Sequence, residues 1–191
     1  MKKLTILILA LFSCYINAQY FKITPNGYNT GEENKGIEIY IPDRNKKEIY
    51  KALIDFINKN ITNPEEEILP IKNQFYIRFT TKDEKVFKIN NIIGQPSNIF
   101  GFTTYELEIE DDKIILHSIN PELYKFDYEN PLNLKDNYFS SIYNMKGEPR
   151  DLTLKYNLIE NIEKYYNGFV TTMVDHVKNS DKLKFPTIYV K

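Results

Sequence analysis

The sequence predicts an α+β domain in which two amphipathic helices cover one face of an antiparallel sheet of about five strands. Three observations support this prediction. Several short segments alternate apolar and polar residues with period two, as half-buried strands do. Two longer segments repeat apolar residues every three or four positions, as helices on a core do. Along the chain these segments follow the order β-α-β-β-β-β-α.

A strand followed by a helix is predicted at the start of this domain. Residues 36–41 alternate apolar and mostly polar positions and stop at Pro42. Asn45 and Glu48 have the spacing of a capping box, in which each side chain accepts the other residue's backbone N–H. A helix should therefore begin here and end before Pro64. Its apolar face consists of Ile49, Leu53, Phe56, Ile57 and Ile61.

Residues 74–90 predict a first hairpin. The segments 74–80 and 86–90 both alternate apolar and polar positions. Between them lies the polar stretch Lys82-Asp83-Glu84, which is typical of a turn.

A second hairpin is predicted where residues 104–110 and 114–119 alternate on either side of Asp111-Asp112. If this pair is a two-residue turn, Glu110 pairs with Lys113, and each step back along one strand matches a step forward on the other. Glu106 is then expected to face His117.

The last third of the chain predicts an irregular connection and a long helix. Residues 120–150 contain three prolines and no sustained period, with a short strand expected over 138–143. A helix should follow, because apolar residues keep helical phase through Asn167-Gly168. The tail from Leu183 to Val190 alternates around Pro186 and is expected to lie extended along the domain edge. The helical stripe consists of Leu158, Ile162, Tyr165, Phe169, Met173 and Val177.

The first eighteen residues have the pattern of a secretory signal peptide. Lys2 and Lys3 precede an apolar stretch that is too short to span a bilayer, and small or polar residues precede Ala18. Cleavage is expected between Ala18 and Gln19, giving a periplasmic or secreted protein. The sequence then divides into a signal peptide (1–18), a flexible N-terminal segment (19–35) and a single α+β domain (36–191).

A lipoprotein signal is the alternative at this end. Leu11-Phe12-Ser13-Cys14 resembles such a signal, in which Cys14 would carry a lipid anchor. Phe12 is bulkier than a lipoprotein signal prefers, so ordinary cleavage after Ala18 is favoured. That cleavage would also remove the one cysteine of the chain, and with it any internal disulfide or thiol nucleophile.

Charge and motif content exclude several function classes. The chain has 25 basic and 26 acidic residues, mixed along its length, whereas nucleic-acid binding needs clustered Lys and Arg. No phosphate loop, nucleophile elbow or zinc-protease motif occurs, and no cofactor is expected.

Metal binding and histidine catalysis are also not expected. The acidic stretches Glu65-Glu66-Glu67 and Glu106 to Asp112 lack the spacing of a calcium loop. His117 and His176 are the only histidines, and His176 is interpreted as a solvated helix flank. We therefore predict no catalytic residues and no metal ligands.

Two motifs and the final amphipathic helix resemble a known family. Asn45-Lys46-Lys47-Glu48-Ile49-Tyr50 at a helix start and Tyr105-Glu106-Leu107-Glu108-Ile109 in a strand are similar to an exported Gram-negative family of unknown function with a TATA-binding-protein-like (TBP-like) fold. The resemblance covers about residues 36–180. It implies a TBP-like fold and an exported location, and it supplies no activity.

Two functions follow from these observations. The favoured one is an exported, non-enzymatic binding or interaction domain with an unknown protein or small-molecule partner and no nucleic acid. The alternative is a secreted or periplasmic hydrolase with carboxylate or His-acid catalysis. A one-sided helix layer leaves the opposite sheet face open for binding. Alternation places Ile115 on that face. It also places there the candidate binding residues Tyr40, Tyr76, Arg78, Lys88, Glu106, Glu108 and His117.

Overall fold

The computed structural model describes residues 19–29, 36–61, 75–90, 96–125, 131–137 and 141–180. The signal peptide, the Glu65-Glu66-Glu67 stretch and the tail predicted above lie outside these residues. The described part of the chain contains nine elements: β1 (Lys22–Thr24), β2 (Gly27–Asn29), β3 (Ile37–Tyr40), α1 (Lys46–Asn60), β4 (Tyr76–Asn90), β5 (Pro96–Glu110), β6 (Lys113–Lys125), α2 (Asp151–Lys155) and α3 (Leu158–Asn179).

The main sheet is antiparallel and has the strand order β3-β6-β5-β4. Helices α1 and α3 lie on one face of it, where alternate strand residues and both apolar helix stripes form one core. The predicted α+β fold is therefore confirmed. Core side chains that are at most 5% exposed include Ile39, Ile77, Leu107 and Ile109 from the sheet and Leu53, Phe56, Ile162 and Met173 from the helices.

The predicted first hairpin is wrong, because β4 runs without a turn from Tyr76 to Asn90. It pairs along its whole length with β5, with an irregularity between Asp83 and Phe87. The polar stretch around Asp83 resembles a turn in sequence, yet Thr81 and Asp83 keep the inward positions of the strand and are buried. The main sheet described here consequently has four strands and not five.

The N-terminal segment is also more ordered than predicted. Residues 22–29 form the hairpin β1–β2, and Phe21 is only 1% exposed. Side chains of α3 bind the backbone of this segment. Asn167 Oδ1 accepts the N–H groups of Tyr20 (2.6 Å) and Phe21 (3.0 Å), and Glu163 Oε1 accepts that of Ile23 (2.8 Å). The prediction of a flexible segment is therefore wrong for residues 19–29.

The second hairpin is confirmed and is longer than predicted. Asp111-Asp112 forms the turn, with φ of 61° at Asp112, and Glu110 pairs with Lys113. A bulge then shifts the register by one residue, so that Glu106 pairs with Ser118. The expected pairing of Glu106 with His117 is wrong for this reason.

Both long helices are confirmed. The capping box of α1 is present, because Asn45 Oδ1 accepts the N–H of Glu48 while a carboxylate oxygen of Glu48 accepts the N–H of Asn45. Helix α3 continues through Asn167 and Gly168. Residues 131–137 and 141–150 are irregular apart from isolated bridges, two of them at Tyr143, while 138–140 lie outside the described residues. The assignment of residues 36–191 to one domain stays a prediction.

Candidate functional site

The sheet face opposite the helices is the candidate site. Every second residue of β4, β5 and β6 projects from it, and many of these side chains are polar. Near the β5–β6 turn, the bulge in β6 brings several of the polar side chains together. We name this group the open-face cluster. It consists of Tyr76, Arg78, Glu106, Glu108, His117 and Ser118.

Glu106 lies at the centre of the open-face cluster. One of its carboxylate oxygens lies 3.5 Å from Arg78 Nε. The other accepts the hydroxyl of Ser118 at 3.0 Å. Partial burial raises the pKa of the Tyr76 hydroxyl, and the charge of Glu106 and a hydrogen bond to it raise this pKa further. Tyr76 is therefore a neutral phenol at ordinary pH, with its oxygen beside the carboxylate.

His117 lies on the same face and pairs with the neighbouring glutamate on β5. His117 Nε2 is 2.9 Å from Glu108 Oε2, and both side chains are about one third exposed. The ring centroids of His117 and Tyr76 are 6.1 Å apart. The imidazole and the guanidinium thus each pair with a carboxylate at the surface, and the phenol lies beside one.

A cleft of about 370 Å³ lies within this cluster. Gly36, Tyr76, Glu106 and His117 line it. It offers hydrogen-bond donors and acceptors close to two aromatic rings. Such a surface suits a polar side chain of a partner better than an apolar ligand.

The structure brings five of the seven predicted binding residues together and separates the other two. Tyr40 also projects from the open face, where it is 66% exposed, but it lies on the edge strand β3 opposite Lys113. Lys88 pairs with Asn98, which is ten residues from Glu108 along β5 and so roughly 33 Å away. Ser118 is a member of the cluster that the sequence did not reveal, because the bulge places it beside Glu106.

A second polar group, buried under α3, was also missed. Asp83 is 4% exposed, and four hydroxyl groups surround its carboxylate. Thr81 Oγ1 and Tyr165 OH donate to Oδ1 at 2.9 and 3.2 Å, while Thr103 Oγ1 and Tyr166 OH bond to Oδ2. In the sequence these residues are scattered over more than 80 positions, and Asp83 looks like part of a turn.

Burial makes the ionised form of Asp83 costly. Desolvation raises the pKa of this carboxyl, although the four hydroxyl groups lower it. The nearby phenol of Tyr105 has a pKa well above its usual value, first because of burial and then because of the Asp83 charge. Among the described residues, its OH has no hydrogen-bond partner. The group is therefore a polar layer inside the core, shielded from solvent.

We expect Asp83→Asn to change how stability depends on pH. A raised folded-state pKa contributes stability that is complete below the unfolded pKa of about 3.9 and is lost as pH rises through the folded pKa. The Asn variant has no carboxyl group here and so does not lose this stability as pH rises. The free energy of unfolding of the variant minus that of wild type should therefore increase from about pH 4 to about pH 7. Urea unfolding at several pH values measures the difference. A difference independent of pH would contradict this assignment.

His176 is not the solvated helix flank that the sequence indicates. Its Nε2 lies 2.9 Å from Asp55 of α1, and its ring lies 5.5 Å from that of Phe56. Lys59 also bonds to Asp55, and this hydrogen bond is the main reason why the pKa of Asp55 is lowered. The histidine therefore links α1 to α3. Its side chain is 20% exposed.

No group of three or more His, Cys, Asp or Glu side chains among the described residues could hold a metal ion. None of the described helices combines the length and the apolar character needed to cross a membrane.

Comparison with known proteins identifies the fold. No protein-family model and no curated protein matches this sequence. The structure is similar to the crystal structure of a TBP-like protein from Parabacteroides distasonis ATCC 8503, with a TM-score of 0.51 and 12% sequence identity. The match covers 78% of this chain and 96% of that one. At this identity the likeness concerns the fold alone, and the chain has a TBP-like fold.

Proposed function

We propose that this protein is an exported, non-enzymatic binding protein that uses the open sheet face to bind a partner protein. The observation that supports this most is the open-face cluster. There Glu106 contacts Tyr76 and Arg78, and Glu108 pairs with His117, at a solvent-facing surface. Tyrosine and arginine are the residues most often found at the energetic centre of protein interfaces. Side chains fixed before binding also lose less entropy when a partner docks.

The charge of the face favours a protein partner over nucleic acid. On the described part of this face, glutamates stand among the basic residues, so phosphates would meet carboxylates at close range. Aromatic rings continue along the face, with Phe100 and Tyr124 stacked at 6.1 Å. Mixed charge with interspersed aromatic rings is typical of protein interfaces. The face carries Glu38, Glu106, Glu108, Glu110 and Glu122 together with Arg78, Lys82, Lys88 and Lys113.

A secreted or periplasmic hydrolase is the second candidate, because His117 and Glu108 form a histidine-carboxylate pair. In nucleophilic catalysis, such a pair activates a hydroxyl that bonds to the imidazole. Ser118, the hydroxyl next to His117 in the sequence, instead donates to Glu106. The arrangement therefore supports binding better than acyl transfer.

Capture of a partner by the purified protein tests the proposal. The bait is the exported form of the protein. We expect mass spectrometry to show that its N-terminus is Gln19. A lipid on Cys14 would contradict that expectation. Envelope and secreted fractions of the producing cell supply the partner. Substituting both Tyr76→Ala and Arg78→Ala should weaken capture by about tenfold or more, because both side chains are truncated at the centre of the interface.

A control variant on the helix side separates binding from folding. Glu160→Ala with Lys164→Ala changes two exposed residues of α3 and should leave capture unchanged. Both double variants should keep their free energy of unfolding within about 0.5 kcal/mol per substitution. Equal capture by the Tyr76 and Arg78 variant and by wild type would exclude the open face as the binding surface.

A further inference from the structure

The chain contains two Asn-Gly pairs, Asn26-Gly27 and Asn167-Gly168, and the structure places them in contrasting surroundings. In such a pair the glycine nitrogen can attack the asparagine side-chain amide, because glycine has no Cβ to obstruct the approach and its backbone rotates freely. The attack closes a five-membered ring only if the asparagine side chain can turn towards that nitrogen and the backbone between the two residues can rotate. Local structure therefore decides which pair reacts.

Asn26 is exposed in the tight turn between β1 and β2. Thr24 pairs with Gly27, so Pro25 and Asn26 form a two-residue turn. Each strand of this hairpin has only three residues, and so short a ladder opens at small cost. A Cβ atom built on Gly27, whose φ is 150°, would meet no atom within 4 Å. The space beside this pair is therefore open for ring closure.

Asn167, in contrast, is bound on both sides of its side-chain amide. Its Oδ1 accepts the backbone N–H groups of Tyr20 and Phe21. Its Nδ2 donates to Phe21 O at 3.0 Å and to Glu163 O at 2.8 Å. Gly168 lies in the middle of α3, where its N–H bonds to the carbonyl one turn earlier. Ring closure here would break these hydrogen bonds and the helix around them.

We propose that Asn26 is a site of spontaneous deamidation, which converts this turn residue to aspartate or isoaspartate while the fold protects Asn167. The Gly27 nitrogen loses its proton and bonds to Asn26 Cγ. The bond from Cγ to Nδ2 breaks, and the leaving nitrogen takes up a proton and departs as ammonia. Water then opens the resulting succinimide. Opening at one carbonyl gives aspartate, and opening at the other gives isoaspartate, in which the main chain continues through Cγ.

Both products change the turn between β1 and β2. Each adds a negative charge at an exposed position, and isoaspartate also inserts a methylene group into the main chain. The contacts that this insertion would disturb are the pairing of Thr24 with Gly27 and the hydrogen bond from Thr24 Oγ1 to Gly27 O at 2.8 Å. None of these residues belongs to the open-face cluster, so the test below is independent of the proposed function.

Peptide mapping by mass spectrometry tests the proposal on the whole folded protein, aged in mildly alkaline buffer. Deamidation raises the mass of a peptide by about 1 Da, and isoaspartate is counted by enzymatic methylation. We expect Asn26 to convert about tenfold or more faster than Asn167, because reaction at Asn167 requires local opening of α3. In urea the two pairs should convert at similar rates, since unfolding removes the difference between their surroundings.

Asn26→Gln is the matched control, because it keeps the amide but moves it one methylene further from the backbone, which disfavours ring closure. Ion exchange should show a more acidic species that accumulates in wild type and not in this variant. Equal conversion of Asn26 and Asn167 in the folded protein would overturn the proposal. So would a difference between the two that persists unchanged in urea, or an acidic species that accumulates equally in Asn26→Gln.

Discussion

Gly101→Ala should destabilise the protein by about 3 kcal/mol or more, since overpacking a rigid site reaches this size. A Cβ atom at Gly101 would lie 2.0 Å from the backbone oxygen of Glu122 on β6. Gly101 belongs to the central strand β5, which is bonded to β4 on one side and to β6 on the other. Neither neighbour can move away without breaking its own ladder, so the clash has no cheap relief. Chemical denaturation measures the loss.

Gly168→Ala is the matched control for this substitution. Gly168 lies on an exposed part of α3, and a Cβ there meets no atom within 4 Å. Alanine is the better helix former, so this variant should be more stable than wild type by up to about 1 kcal/mol. Similar stability of the two alanine variants would contradict the close approach of β5 and β6 at Gly101.

Leu53→Ala should reduce the free energy of unfolding by roughly 2–5 kcal/mol, as buried leucine truncations do. Leu53 is on the apolar face of α1 and is 0% exposed. It belongs to the core cluster formed by both helices and the sheet. Truncation removes apolar contacts and leaves a cavity that the surrounding strands cannot fill. Urea or thermal unfolding gives the value.

Leu154→Ala provides the comparison, because Leu154 in α2 is 62% exposed. Its truncation should change stability by less than about 0.5 kcal/mol. An equally small loss for Leu53→Ala would place α1 outside the core. It would also contradict the prediction that both helices cover one face of the sheet.

Local chemistry explains the parts of the fold that could be predicted. The capping box at Asn45 and Glu48 acts within one helical turn, so its spacing is visible in the sequence. The turn at Asp111-Asp112 depends on two residues and on the alternation beside them. Helix α3 keeps its phase through Gly168 because its stripe buries enough apolar surface to offset the poor helix propensity of glycine.

The features that were missed depend on residues far apart in the chain. Asp83 looks like a turn residue until Tyr165 and Tyr166, more than 80 positions later, supply hydroxyl groups inside the core. The N-terminal segment is ordered because Asn167 binds its backbone across 146 or more positions.

The candidate site was predictable only in part for a similar reason. Alternation placed Tyr76, Arg78 and Glu108 on one face correctly, since it needs only local periodicity. The bulge in β6 is invisible to that argument, and it moved Ser118 next to Glu106. It also left His117 with Glu108 as its hydrogen-bond partner.

The two histidines give the most direct test of the open sheet face as the binding surface. His117 lies in the open-face cluster, whereas His176 lies between α1 and α3 on the other side of the sheet. Because the chain has only these two, their ring signals can be followed separately by NMR while the captured partner is titrated in. Binding at the open face predicts that the His117 signals shift or broaden and that those of His176 do not. A response of His176 without one of His117 would contradict the account.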